Sequence, residues 1–136
     1  MGSHKGIAMK IERELMRGAG PTAVLRLLSG REMYGYELVE ALSTQTEGVL
    51  AMGQSTLYPM LYNLEAKDLI EAEWRQSDSG RDRKYYRLTG KGKKRLEQDT
   101  EAWRSLVKAM VSLGVVEPAL ARAFAVNSAV SGGGVA

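Results

Sequence analysis

The thirteen residues from Gly53 to Glu65, Gly-Gln-Ser-Thr-Leu-Tyr-Pro-Met-Leu-Tyr-Asn-Leu-Glu, carry side chains whose types and spacing point to a definite chemistry. Wound as a helix at about 100° per residue, Leu57, Met60, Leu61 and Leu64 share one face. Ser55, Pro59, Tyr62, Asn63 and Ala66 share the other. That outer face has hydroxyls, an amide and a phenol, no Lys or Arg, and no acid before Glu65. A helix face that only meets water normally carries charge. Short, uncharged hydrogen-bonding groups on a narrow helix suit entry between two walls of phosphate, where they reach base edges. Thr56 and Pro59 offer methyl and methylene contact to thymine, Ser55 and Tyr62 offer hydrogen bonds, and Tyr58 belongs to the same surface. An amphipathic core helix with a polar outside is the plainer alternative, and the rest of the chain bears on the choice.

A second constellation supplies charge. From Arg81 to Arg95 eight basic residues face the single acid Asp82, a local charge of +7 in a chain whose total is +3, so everything else sums to −4. A mildly acidic body with one basic sector is the sequence footprint of a phosphate-binding surface. Arg81, Arg83 and Lys84 are the residues expected to hold phosphates or probe the minor groove, and they would supply most of the affinity and its salt dependence.

The elements that position these groups follow from periodicity. Met9 to Arg17, with Ile11 and Leu15 at i, i+4, reads as a short helix closed by Gly18 and Gly20. Pro21 then opens a second, central helix carrying Val24, Leu25, Leu27 and Leu28, which Gly30 ends. A third runs from about Met33 to Ser43 and buries Leu38, Ala41 and Leu42. Residues 44–53 have no periodicity and connect to the helix of the first paragraph. Within that helix Pro59 costs little if the first turn starts at Ser55 or Thr56, and bends the helix if it starts earlier.

After that helix, Ile70, Ala72 and Trp74 alternate with charged residues, and Tyr86 and Leu88 alternate inward after a polar loop, so the two runs form a β-hairpin. Thr89 is placed to cap a final long helix from about Lys91 to Leu113. On it Leu96, Trp103 and Met110 repeat every seven residues, with Leu106 and Leu113 at the other heptad position and Val107 beside them. An apolar seam appended to a domain that already has a core requires a partner helix. The expected fold is therefore mainly α with a small β-hairpin, a winged helix-turn-helix with a long C-terminal dimerisation helix. Residues 9–89 form the DNA-binding domain and 90–117 the dimerisation helix, residues 1–8 read as a flexible expression scar, and 118–136 form an Ala/Ser/Gly-rich tail.

Composition removes other classes. With 136 residues, 44% hydrophobic and 26% charged, the chain has the length and make-up of one globular domain. It has no cysteine, and its single histidine, His4, lies in the Met-Gly-Ser-His start and is excluded from function, so no metal and no cofactor are expected. No apolar run approaches the ~20 residues of a membrane span and no signal peptide is visible, which predicts a cytoplasmic protein without a membrane partner. Catalysis finds no support: there is no Gly-rich phosphate loop, and the acids Asp78 and Asp82 sit in a basic, exposed loop.

Four segments resemble the PadR family of bacterial transcriptional regulators. Tyr34-Gly35-Tyr36-Glu37-Leu38 is similar to its YGYEL-type segment, and Ser55-Thr56-Leu57-Tyr58-Pro59-Met60-Leu61 to its TLYPxL recognition helix. Leu64 to Ile70 is similar to LExxGLI, with Asp68 in place of the usual glycine, which a residue tolerant of the left-handed region can fill. Gly80 to Thr89 is similar to the wing motif GRxRKYYxLT, with Gly92 matching the glycine that often follows. The likeness runs from about Val24 to Lys108 and is closest to the family's smaller-tailed subgroup.

The resemblance implies a homodimer with two winged-helix heads, joined through the long helix and the first helix. Ile11, Leu15, Leu96, Trp103, Leu106, Val107 and Met110 are the candidate contacts. It also implies repression of nearby genes, relieved in some members by a small molecule. Trp103 matches a tryptophan that stacks flat aromatic effectors in multidrug-responsive members. Tyr34 and Tyr36 are candidate phosphate contacts through their hydroxyls. The expected partners are duplex DNA, a second copy of the chain and a small aromatic effector. A winged-helix module that binds another protein without DNA is the alternative, and the basic wing argues against it.

Overall fold

The structure is a computed structural model that describes residues 11–76 and 78–119. Met9, His4 and most of the expected tail lie outside those residues. The elements in chain order are α1 (Arg13–Gly30), β1 (Met33–Tyr34), α2 (Gly35–Thr44), α3 (Gln54–Ala66), β2 (Ile70–Gln76), β3 (Asp82–Leu88) and α4 (Gly90–Ser112). The chain divides into two compact units, one ending at Glu97 and the other starting at Gln98.

In the first unit a three-helix layer packs on a three-stranded antiparallel sheet of order β1-β3-β2. Each element sends apolar side chains into one core: Val24, Leu25 and Leu28 from α1, Leu38 and Leu42 from α2, Leu57, Leu61 and Leu64 from α3. Ile70 and Tyr86 close it from the sheet. The buried faces of α2 and α3 are the ones the periodicity predicts, with Met60 only half-buried.

Two expectations about boundaries are corrected. The chain from Arg13 to Gly30 is one helix, not two separated at Gly18 and Gly20, and Pro21 lies inside it. Met16, Gly20, Val24 and Leu28, spaced by four, form one buried stripe through both halves, and its burial outweighs the backbone bond that Pro21 cannot make. Gly20 faces α3 within that stripe: a Cβ there would lie 2.6 Å from Met60 Cε, the flexible end of that side chain. Likewise the third helix does not begin at Met33. Met33 and Tyr34 pair with Tyr86 and Tyr85 as a sheet edge, and α2 starts at Gly35. Met33 is buried in the core, and the Tyr34 N–H donates to Glu37 Oε1 at 3.2 Å, which caps the first turn.

The α3 helix ends in a Schellman turn: the Asp68 N–H donates to the Glu65 carbonyl (2.9 Å) and the Leu69 N–H to the Leu64 carbonyl (3.0 Å). Asp68 takes the left-handed position, at φ +61°. The hairpin that follows pairs Ile70 with Leu88, Ala72 with Tyr86 and Trp74 with Lys84, so these six side chains share one sheet face. Thr89 caps α4 as expected, its hydroxyl accepting the Gly92 N–H at 2.9 Å.

The second unit, considered alone, holds the rest of α4 and a turn with Gly114 at φ +84°. Trp103 is 38% exposed and Leu106 43% exposed on that helix, with Val107 and Met110 half-buried.

Candidate nucleic-acid interface

The α3 helix starts at Gln54, with Gly53 as its N-cap, and projects an uncharged row into solvent. Ser55, Thr56, Pro59, Tyr62 and Asn63 are all exposed, Tyr62 to 61%. Because the helix begins at Gln54, Pro59 is in its second turn, and the Ser55 carbonyl loses the amide donor that any other residue at 59 would supply. Tyr58 does not stand in the outward row. It packs half-buried against the core with its hydroxyl edge against Gly35.

The hairpin puts its expected cations in three different places. Arg81 is exposed at the wing beside Gly80, whose φ of +83° turns the chain. Arg83 lies on the outer sheet face, its guanidinium 4.4 Å from the centre of the Tyr34 ring. Tyr34 in turn meets Tyr85 edge-on at 5.4 Å, and Arg75 covers Tyr85 at 5.0 Å. Tyr34 thus acts on Arg83 as a platform, while Tyr36 is 55% exposed. Lys84 lies on the inner face, with Nζ 3.4 Å from the Glu65 carboxylate, 5.9 Å from the Tyr62 ring and 5.4 Å from the Tyr86 ring.

The outer face of the hairpin is already neutralised. Arg75 pairs with Glu32 at 2.8 Å and Glu73 at 3.2 Å, and Arg87 with Glu73 at 3.0 Å and Glu71 at 3.2 Å. The hydrogen bond from Arg75, then that from Arg87, holds the Glu73 carboxyl below its ordinary value. Arg75 and Arg87 are therefore committed to carboxylates on the outer face, Lys84 has the longer pair with Glu65 on the inner face, and Arg83 is held over the Tyr34 ring.

Between α3, β1 and the hairpin lies a cleft of about 390 Å³. Tyr34, Tyr62, Trp74, Arg83 and Lys84 line it, with the Tyr58 and Tyr86 rings beneath and Asp82 at the wing end. Trp74 departs from the sequence expectation. It shares the sheet face of Ile70 and Ala72, yet it is 67% exposed. The strand runs past the end of the helical layer, so the face that is core at Ile70 borders the open cleft at Trp74. Its cross-strand partner is Lys84, not an apolar residue, and that pairing was the signal available in the sequence.

Of the residues assigned to dimerisation, Ile11 and Leu96 pack against the core of their own protomer. Leu15, Trp103 and Leu106 are exposed.

A helix pair, a third helix with an uncharged outer row and a basic hairpin beside it define a winged helix-turn-helix. The model of the transcriptional regulator PadR-like family matches residues 24–98, and the chain belongs to that family, one of transcriptional regulators and not of enzymes. It is 35% identical over 96 residues to the transcriptional regulator Rv3488 of Mycobacterium tuberculosis, covering 71% of this chain and 86% of that one. A PadR family regulator from Eggerthella lenta superposes with a TM-score of 0.65 at 34% identity, covering 74% of this chain and 85% of that one. A PadR-like regulator from Bacillus cereus gives 0.67 at 30% identity, with 76% and 99% covered. Among the described residues no helix is long and apolar enough to cross a membrane.

Proposed function

We propose that this regulator is a cytoplasmic homodimer that binds duplex DNA sequence-specifically at a two-fold-symmetric operator and represses transcription. The observation that carries the reading is the exposed, uncharged row Ser55, Thr56, Pro59 and Tyr62 beside Arg83 and Lys84, which share a cleft with Tyr62. Uncharged hydroxyl and methyl groups read base edges, and the flanking cations hold phosphates. Trp103 and Leu106, exposed on α4, supply the contact with a second copy. The exposed Trp103 indole offers a flat surface to a small aromatic effector, which would act by favouring one spacing of the two heads over another.

The test separates affinity from specificity. Arg83→Ala should weaken binding to all duplexes alike and reduce the slope of log K against log salt by about one per lost phosphate contact. Thr56→Ala should instead change base preference at one position of a selected operator, at a cost on the order of 1–3 kcal/mol. An Arg83→Ala protein with unchanged affinity and salt slope would take the wing off the phosphates.

A further inference from the structure

The cleft beside α3 contains a side chain that neither the outward row nor the phosphate-holding cations account for. Trp74 leaves 67% of its surface in solvent in a cleft that Arg83 and Lys84 also line. A buried indole would gain a large hydrophobic free energy, and among the described residues nothing covers this one enough to collect it. The indole shares the cleft with the exposed Tyr62 ring, and Lys84 and Arg83 border both. An occupant matched to this lining has an apolar body for the rings and a negative charge for the cations. The sugar–phosphate backbone of DNA alternates those two properties.

We propose that Trp74 is a further DNA-contacting residue. One strand's backbone lies in the cleft between α3 and the wing, a deoxyribose packs on the Trp74 indole, and Lys84 exchanges the Glu65 carboxylate for a phosphate. The inference rests on the DNA-binding reading above, because a strand bordering the groove that α3 enters must pass between that helix and the hairpin. Lys84 is available for the exchange because its pair with Glu65 is long, at 3.4 Å. Asp82, the acid in the lining, sits at the wing end and directs the phosphates toward the Lys84 end. A sugar contact carries no base identity, so Trp74 contributes affinity without specificity. It also carries no charge, so it releases no counterion.

Those two properties define the experiment. The probe is a mixed-sequence duplex of about 30 base pairs, long enough for both half-sites. Trp74→Ala should weaken binding about tenfold, as truncating a buried aromatic anchor does, with the salt slope unchanged. Adding duplex should change the tryptophan emission of the wild type, and Trp74→Phe should remove that change. Because Trp74 is exposed, both variants should keep the wild-type circular dichroism. Binding by Trp74→Ala equal to that of a wild type that does bind overturns the assignment alone, as does emission that ignores DNA. A wild type that binds no duplex overturns the DNA-binding reading with it.

Discussion

Tyr86 links the core to the cleft beside α3 within one side chain. Its ring is 1% exposed among the core residues, while its edge lies under the cleft near Lys84. Burial, with a smaller contribution from Glu65 and the Tyr58 and Tyr62 phenols, pushes the Tyr86 phenol up to about 12. The folded protein therefore keeps this proton at a pH where the unfolded chain, with an ordinary phenol near 10, gives it up. Its contribution is fully present below about pH 10 and is lost as pH rises from there through about 12, in total about 2–3 kcal/mol. Other tyrosines and the lysines titrate in the same range, so the informative quantity is a difference between two proteins. Denaturant unfolding of the wild type should lose roughly 2 kcal/mol more than that of Tyr86→Phe between about pH 9 and pH 11.5. Identical pH dependence in the two proteins would mean that the phenol ionises as freely in the fold as outside it.

At the level of elements, the end of α3 and the start of α4 are clasped together at the base of the hairpin. The Thr89 hydroxyl donates to the Asp68 carbonyl and accepts from the Gly92 N–H, and the Thr89 N–H donates to the Leu69 carbonyl at 3.1 Å. Gly92 is pressed so closely against the Leu69 carbonyl oxygen that a Cβ would collide with it, and Leu88 Cδ1 would lie 2.9 Å away. Since the obstacle is backbone, a rotamer change cannot relieve it. Gly92→Ala should therefore destabilise the fold by roughly 3 kcal/mol, read as a fall in the urea midpoint at constant m-value, although alanine is the better helix former. A midpoint equal to or above that of the wild type would show the clasp to be loose. This joint was half legible in the sequence. Thr89 announced the cap and Asp68 was recognisable as a residue able to take the left-handed position, but contact between residues 69 and 92 is a matter of packing that periodicity does not register. The same limit explains the other departures. The faces of α2 and α3 were readable because each is amphipathic within itself. The continuity of α1 through Pro21 depends on Met16 and Val24 sharing one core, and β1 exists only because β3 offers an edge to Met33 and Tyr34. In the interface, the outward row of α3 followed from side-chain chemistry. The inward turn of Tyr58, the stacking of Arg83 on Tyr34 and the exposure of Trp74 depend on where neighbouring elements stop.

At the scale of the whole molecule, reading a symmetric operator requires two recognition helices held about 34–36 Å apart, or a multiple of that, and one winged-helix head has only one. The buried core lies between Met16 and Tyr86, so the head is expected to fold without help from a second copy, and on the proposed homodimer reading the apolar surface on α4 holds the two heads together. Leu106, 43% exposed and next to the half-buried Val107, is in the middle of that surface. Leu106→Asp puts a carboxylate there, and in a dimer the two-fold axis would set it against the same charge from the partner, a cost no rearrangement of an apolar seam offsets. The variant should have half the wild-type mass by light scattering while keeping the wild-type helical signal, since the head's core does not use residue 106. Its affinity for a symmetric operator should fall on the order of a hundredfold or more, because the second head no longer binds at the effective concentration that linkage provides. Its affinity for a single half-site should stay near that of one wild-type head. Loss of half-site binding would show that the substitution had damaged the head itself, and an unchanged mass would place the interface elsewhere than on the Trp103–Leu106 face.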